Sequence, residues 1–183
     1  MEKIDVLKFA TRLLHPRHVV IATCVDKAGK PNAISLAWSM PVSHNPPIVV
    51  ISVSPRRYSH RLIAESREFV LNVPTIELVK QTLFIGRRSG REFDKFKETG
   101  LTPLPAKKVN PPIIKECIAH LECKAREQID AGDHTLFIAD VVAAYVNQDV
   151  FKEKMNIRKA KPIYHIGEDS FTSLTDEVIT PKL

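Results

Sequence analysis

The 183-residue chain has an ordinary globular composition, with 44% hydrophobic and 26% charged residues, which excludes an intrinsically disordered or low-complexity protein. Its net charge of +6 comes from 27 basic residues interspersed with 21 acidic ones, and no recognisable nucleic-acid-binding motif accompanies them. The N-terminal residues lack the apolar core of a signal peptide, and no stretch approaches the roughly 20 apolar residues of a membrane helix, so we expect a cytoplasmic protein without membrane contact.

The first half of the chain predicts three strands followed by a polar loop. Residues 19–25 form an apolar, β-branched run, and residues 48–53 form a second apolar run, as in a strand buried on both faces. Between them, residues 33–43 alternate with a period of two, which indicates a strand with two unlike faces. One of those faces carries only small side chains: Ala33, Ser35, Ala37 and Ser39.

This small-residue face and the loop beyond it together indicate a ligand site. Small side chains leave room for a flat ring against the strand, and the loop at residues 54–60 is basic and rich in hydroxyl groups. Such a loop at the start of a helix can hold an anion, so the combination is typical of a nucleotide-like cofactor site. The alternative, an exposed strand face followed by a solvated basic turn, remains open at this point.

The remaining patterns add short helices and further strands. Helices are predicted at residues 4–14, from His60, at 76–85 with Thr75 as N-cap and at 94–100 with Gly100 as the end; strands are predicted at 68–73, 113–129, 135–146 and 162–166, with a hairpin turn at 130–133. About seven short strands joined mostly by tight turns predict a mainly β fold, a closed antiparallel Greek-key barrel with inserted helices. We expect one domain over residues 1–183, with the barrel core at about 16–166 and a C-terminal tail at 167–183.

The three cysteines predict neither a disulfide framework nor a zinc site. They are an odd number and form no CxxC pair. Cys24 and Cys123 stand at apolar-face positions of predicted strands, which indicates buried, inert thiols. We expect no metal site, although iron held by His134 together with a cysteine is left open.

Seven motifs follow one another along the chain: residues 32–43 followed by Pro46-Pro47, Arg57-Tyr58-Ser59, residues 68–74, Ser89-Gly90, Asp94-Lys95-Phe96, Leu121-Glu122-Cys123 and Gly132-Asp133-His134. Together they resemble the flavin reductase-like family, whose members fold as an FMN-binding split barrel. That family includes flavin reductases, flavoredoxin and an archaeal ferric reductase. The resemblance covers the chain from about Pro16 to Ile166.

The resemblance also implies the position of an FMN site. The basic loop would hold the phosphate, two neighbouring strands would hold the ring, and Lys95 with the Ser89-Gly90 backbone would stabilise the reduced ring. The implied cofactor-binding residues are Ser35, Leu36, Ala37, Trp38, Ser52, Val53, Arg57, Tyr58, Ser59, Asn72, Pro74, Ser89, Gly90 and Lys95. Alternatives remain for two of them, because Trp38 could be a core or interface residue and Asn72 could cap a strand end.

His134 is the candidate catalytic residue. It follows a Gly-Asp turn at the start of a strand, so its side chain can project toward a site. The resemblance places its counterpart near the flavin face, where a histidine would orient nicotinamide or relay a proton. The alternative is a turn histidine that bonds to Asp133.

Three functions follow as hypotheses. The first is an oxidoreductase that uses NADH or NADPH to reduce FMN and passes electrons to free flavin, ferric iron or a protein; the nicotinamide donor would dock transiently, because the chain has no GxGxxG motif. The second is an electron-carrier flavoprotein like flavoredoxin, without NAD(P)H turnover. The third is a basic nucleic-acid-binding barrel without flavin. For the flavin hypotheses, the resemblance implies a homodimer with FMN near the subunit interface.

Overall fold

The computed structural model describes residues 1–179, and most of the strand residues belong to one seven-stranded antiparallel sheet. The strands are β1 (Arg17–His18), β2 (Val20–Val25), β3 (Pro31–Leu36), β4 (Ser39–Ser43), β5 (Ile48–Val53), β6 (Glu68–Val73), β7 (Pro103–Leu104), β8 (Ile113–Ile114), β9 (Ala119–Ala131), β10 (His134–Val146), β11 (Phe151–Lys152), β12 (Lys154–Met155), β13 (Tyr164–Gly167) and β14 (Ser170–Thr172). The helices are α1 (Tyr58–Ser66), α2 (Val79–Arg87), α3 (Lys95–Thr99) and α4 (Ile157–Ala160), with 3-10 helices at Leu7–Leu14 and Ile76–Leu78.

The large sheet is strongly curled. Its strand order is β3-β2-β6-β9-β10-β5-β4, so β3 and β4 form its two edges although they are consecutive in the chain. Only Ala37 and Trp38 separate them. Three Cα–Cα steps span no more than about 11 Å, whereas seven strands laid flat would spread their edges roughly 29 Å apart. The short link therefore requires the sheet to bend until its edges meet.

The fold is mainly β with inserted helices, as predicted, but the predicted closed barrel is wrong in one respect. Among residues 1–179, no strand ladder joins β3 to β4, so the sheet is curled and remains open along one line. The predicted single strand at residues 33–43 is also wrong. The predicted strand is interrupted at Ala37, because residues before it pair with β2 and residues after it pair with β5. At the start of the second pairing, the Ser52 N–H donates to the Trp38 carbonyl at 2.9 Å.

Two clusters of buried apolar side chains form the core of residues 1–179. The main cluster lies inside the curl of the sheet, where Phe69 and Phe137 are its largest fully buried members and α1 adds Leu62 and Ile63. A smaller cluster packs α2 and α3 against the outside of β2 and β3; it contains Ile21, Ala33, Ile85, Phe96, Leu101, Ile114 and Cys117. All three cysteines are free and buried, which confirms the burial predicted for Cys24 and Cys123, and burial raises the pKa of the Cys24 thiol to about 12.

The ends of the helices test several local predictions. Asp94 caps α3 by accepting the Lys97 N–H at 3.2 Å, and Gly100 ends it with a φ of 68°, so the predicted turn at 94–100 is confirmed. Thr75 makes no side-chain cap, since a 3-10 turn precedes α2.

The predicted tail at 167–183 begins within the β13–β14 hairpin, and its residues 180–183 lie outside the described residues.

Within residues 1–179, no helix is both long and apolar enough to cross a membrane.

Glu122 on β9 is a fully buried carboxylate that anchors the proline-rich segment after α3. Its two oxygens accept the N–H groups of Lys107 at 2.8 Å and Lys108 at 2.6 Å, and the Tyr145 hydroxyl donates to it at 2.9 Å. Burial alone would raise the pKa of Glu122, but these donors outweigh burial and lower the pKa. The carboxylate thus fixes an extended segment that has little regular structure of its own.

We expect Glu122→Gln to lower the free energy of unfolding by about 1–3 kcal/mol, because the neutral amide offers one acceptor oxygen where the carboxylate offers two. A lowered folded-state pKa stabilises the fold above the ordinary glutamate pKa of about 4.3, and this contribution is lost as the pH falls through the folded value. Urea unfolding from pH 7 downward should therefore show a shallower acid loss in Glu122→Gln than in the wild type. Glu127→Gln, an exposed change on the same strand, is the control, and equal acid loss in all three proteins would contradict the prediction.

Candidate functional site

A groove opens along the line where the two sheet edges meet. It is bounded by the end of β3, by the end of β5 with the segment leading into α1, and by α2 together with the β13–β14 turn, and its cavity volume is about 870 Å³. The split in the sheet and the groove thus coincide. Eight residues predicted from the sequence line it: Ser35, Leu36, Ala37, Trp38, Ser52, Val53, Arg57 and His134.

The β3 side of the groove offers main-chain groups as well as small side chains. The Ala33 carbonyl faces away from β2, because it accepts the Lys95 ammonium at 2.7 Å. Along an edge strand, the N–H and C=O groups of every second residue point away from the neighbouring strand. The N–H and C=O groups of Ser35, two residues after Ala33, therefore also face away from β2. The Ser35 hydroxyl donates to the Thr82 carbonyl at 2.6 Å and fixes α2 against this edge. The result is a narrow slot with polar main-chain groups on one wall.

One end of the groove is cationic. Arg56 and Arg57 are both exposed there, just before α1 begins at Tyr58. Arg57, the N-cap residue of α1, makes no side-chain cap hydrogen bond, so the first N–H groups of the helix carry the partial positive charge of a helix start. Two guanidinium groups and a helix start at one place form a suitable site for a phosphate group.

His134 lies at the start of β10 and stacks on Trp38, with ring centroids 4.7 Å apart and planes inclined by 33°. Its Nδ1 lies 2.7 Å from the Asp133 carboxylate, and this hydrogen bond lowers the pKa of Asp133. The Arg17 guanidinium lies 5.3 Å from the centre of the Trp38 ring. His134 therefore lines the groove and also bonds to the turn aspartate, as the second alternative from the sequence has it, and its catalytic role stays a prediction.

Ser59, Gly90 and Lys95 lie behind the groove wall and do not line the groove. Ser59 is buried and its hydroxyl accepts the Asn32 side-chain N–H at 2.8 Å. Gly90 lies so close to Asn32 that a Cβ atom there would be 2.1 Å from its side-chain oxygen. Lys95 is buried and donates to the carbonyls of Ala33 and Ile85, each at 2.7 Å. These residues hold the edge strand and its helices in place from behind.

The other predicted residues outside the groove are Tyr58, Ser89, Asn72 and Pro74. Asn72 is fully buried on the opposite side of β2, where its carbonyl oxygen accepts the Ile114 N–H at 2.9 Å and lies 2.8 Å from Nδ1 of His120. Its amide group also donates to the Ile21 carbonyl at 3.0 Å, so its side chain is fully used in structural hydrogen bonds. Pro74 is buried directly after β6.

Sequence reasoning missed the far wall of the groove. This wall consists of Thr11, Arg12, His15, Thr82, Leu83, Gly86, Arg87, His165, Gly167, Glu168 and Phe171. Residues from early and late in the chain meet in this wall, because the two-residue strand β1 pairs with β13. This pairing places His15 against His165, with ring centroids 5.3 Å apart. The i, i+4 spacing of Thr82 and Gly86 could have indicated the groove face of α2, but a two-residue strand gives no periodic signal.

A family described as "Flavin reductase like domain" matches residues 12–169. An uncharacterized protein of Archaeoglobus fulgidus is 37% identical over 158 residues, which is 86% of this chain and 89% of that protein. A protein of Kitasatospora aureofaciens named flavin reductase (NADH) is 26% identical, over 86% of this chain and 81% of its own length. The crystal structure of flavoredoxin from Methanosarcina acetivorans superimposes with a TM-score of 0.87 at 28% identity and covers 98% of this chain and 95% of its own.

The buried ammonium of Lys95 makes stability depend on pH in the alkaline range. Burial lowers the pKa of Lys95 to about 8 from its ordinary value of 10.5, so the unfolded chain binds more protons than the folded chain between these values. The free energy of unfolding of the ligand-free protein should therefore rise from pH 8 to pH 10.5. We expect Lys95→Met to lose this rise in urea titrations, whereas Lys97→Met, an exposed change on the same helix, should keep it. A rise of equal size in both variants would contradict this assignment.

Proposed function

The chain belongs to the flavin reductase-like family, and from this premise we propose that it binds FMN in the groove and acts as an oxidoreductase. The observation that carries the proposal is the groove itself, a slot along the split of the sheet with two arginines at one end. This combination suits a flat ring attached to a phosphate. The similarity to flavoredoxin, a protein with the same arrangement of chain, supports the proposal.

The residues of the groove fit FMN in chemical type. The guanidinium groups of Arg56 and Arg57 suit the phosphate, and the first N–H groups of α1 add partial positive charge beside them. The apolar walls near Leu36 and the stacked rings of Trp38 and His134 suit a planar aromatic ring. The outward peptide groups of Ser35 suit its polar edge. Bound FMN would supply hydride and electron transfer, which protein side chains cannot perform alone.

The side chains would then position the reactants and move protons. The Asp133 carboxylate holds Nδ1 of His134 at 2.7 Å, which leaves Nε2 of that ring free to bond to a reactant in the groove. Trp38 fixes the imidazole plane by stacking on it. In this arrangement His134 orients a donor or delivers a proton, and the cationic end of the groove binds the cofactor.

Purified protein should be yellow or should become yellow on addition of FMN, and Arg57→Ala should weaken FMN binding by about tenfold or more, since a charge-assisted hydrogen bond contributes about 1.5–3 kcal/mol. Equilibrium titration of flavin fluorescence measures this change. Arg158→Ala removes an exposed arginine from α4 and should bind FMN as the wild type does. Colourless wild-type protein that ignores saturating FMN would refute the proposed function, and unchanged affinity in Arg57→Ala would refute only the position of the phosphate.

We propose further that NADH or NADPH is the electron donor and that free flavin, ferric iron or a protein accepts the electrons. The name of the Kitasatospora relative supports a nicotinamide donor. The groove has a volume of about 870 Å³ and opens at the surface, so a donor could dock there transiently without a separate dinucleotide domain. The similarity to flavoredoxin favours the second candidate, an electron carrier without NAD(P)H turnover.

Anaerobic mixing of the FMN-loaded protein with NADH or NADPH distinguishes the two candidates. A reductase should lose its visible flavin absorbance, and His134→Gln should slow this bleaching by about tenfold to a hundredfold while FMN affinity stays close to that of the wild type. Arg126→Gln, on the exposed end of β9, is the control. If the wild type stays oxidised with both nucleotides, the reductase proposal fails and the carrier proposal stands.

We propose that the protein is a homodimer with the cofactor near the subunit interface. Trp38, Met40 and Val42 are exposed apolar residues at the β4 edge, and a second cavity extends from Trp38 across Val50 and Leu136 on the outer face of the sheet. A contiguous apolar face beside a site is typical of an oligomer interface. Light scattering should give twice the chain mass, and Met40→Asp should shift it toward one chain mass; a wild-type mass of one chain would contradict the proposal.

A cytoplasmic location stays a prediction.

A further inference from the structure

Two exposed arginines stack on one tyrosine beside the cationic end of the groove but outside it. The guanidinium carbon of Arg61 lies 5.2 Å from the centre of the Tyr58 ring, and that of Arg91 lies 5.4 Å from the same point. A third guanidinium, from Arg88, lies 5.4 Å from the centre of the Phe93 ring. We call these five residues the arginine–aromatic patch. None of its three arginines lines the groove.

The backbone that carries Arg88 and Arg91 is held in place. The Arg88 N–H donates to the Phe84 carbonyl at 2.9 Å, and the Phe93 N–H donates to the Ser89 carbonyl at 3.0 Å. Gly90 lets this segment approach Tyr58 closely, because a Cβ atom there would lie 3.2 Å from the ring. Stacking on aromatic rings also restricts the guanidinium planes, so little freedom is lost when their N–H edges bind an anion.

The positive charge of the patch is largely uncompensated. Arg61 has one acidic neighbour, Glu65, at 3.8 Å, and both side chains are well exposed, so this pair contributes little. Within residues 1–179, Arg88 and Arg91 form no ion pair. Arg56 and Arg57 continue the positive surface into the groove. The patch is therefore an exposed cationic surface with fixed donors.

We propose that the arginine–aromatic patch is a docking surface for an acidic protein. Exposed arginines around aromatic residues are typical of protein interfaces, where they pair with carboxylates and steer association. Single-stranded nucleic acid is a poorer match, because it needs free aromatic faces for its bases, and here guanidinium groups already stack on both rings. The proposal goes beyond the flavin site and does not depend on it.

A fluorescently labelled peptide of alternating Glu and Asp residues tests the proposal by anisotropy, with a Gln and Asn peptide as the neutral probe. The full-length wild type should bind only the acidic peptide and should release it as salt is raised. Arg61→Gln combined with Arg91→Gln should weaken binding by about tenfold or more at low salt. Arg61→Lys with Arg91→Lys keeps the charge but loses the stacked guanidinium planes, so it should bind the acidic peptide more tightly than the double glutamine variant and more weakly than the wild type.

Lys152→Gln combined with Lys154→Gln removes equal charge from the distant β11–β12 hairpin and should leave binding unchanged. Equal loss in this control, or full binding by the double glutamine variant at Arg61 and Arg91, would overturn the proposal. An oligothymidylate that binds more tightly than the peptide through the same two arginines would also overturn it in favour of nucleic acid. FMN titration of the double glutamine variant should match the wild type, and a loss of FMN affinity would place these arginines in the cofactor site instead.

Discussion

The two-residue link between β3 and β4 is the constraint on which the rest of the structure depends. It ties together the opposite edges of a seven-stranded sheet and so forces the sheet to curl. Because the chain changes partner strands at Ala37 and Trp38, the edges meet without a ladder between them. The resulting split leaves main-chain groups and small side chains facing a common space. The groove is therefore a direct consequence of the connectivity, and its far wall is formed by the 3-10 helix near the amino terminus, by α2 and by the β13–β14 hairpin.

Three sets of cations in this basic protein lie in different environments, and each environment gives its set a different role. Arg56 and Arg57 are exposed at the end of the groove, where their charge is free to meet a ligand. Lys95 is buried behind β3, where its ammonium group donates hydrogen bonds to two carbonyls and burial disfavours its charged form. The arginines of the arginine–aromatic patch stack on aromatic rings at the protein surface. Net charge alone could not have separated these roles.

Local sequence patterns predicted what depends on neighbours in the chain and failed where distant segments meet. The strand at residues 68–73 and the end of α3 at Gly100 were predicted with their observed bounds, because the proline after Val73 and a left-handed glycine act locally. The motif residues from Ser35 to Trp38 indeed line the groove. In contrast, the sequence did not reveal that Asn72 and Lys95 would turn toward main-chain partners contributed by other elements. The open edge of the sheet also escaped prediction, since it depends on how all seven strands close in space.

Trp38, the one tryptophan of the chain, belongs at once to the groove and to the cavity on the outer face of the sheet. Its indole is about two-fifths exposed and touches an imidazole on one side. Its intrinsic emission would therefore respond both to a ligand in the groove and to a partner on the outer face. A ring placed beside it would quench that emission by energy transfer, whereas a subunit packed on the outer face would shift it to the blue by excluding water. The chain thus carries a built-in optical reporter that needs no label.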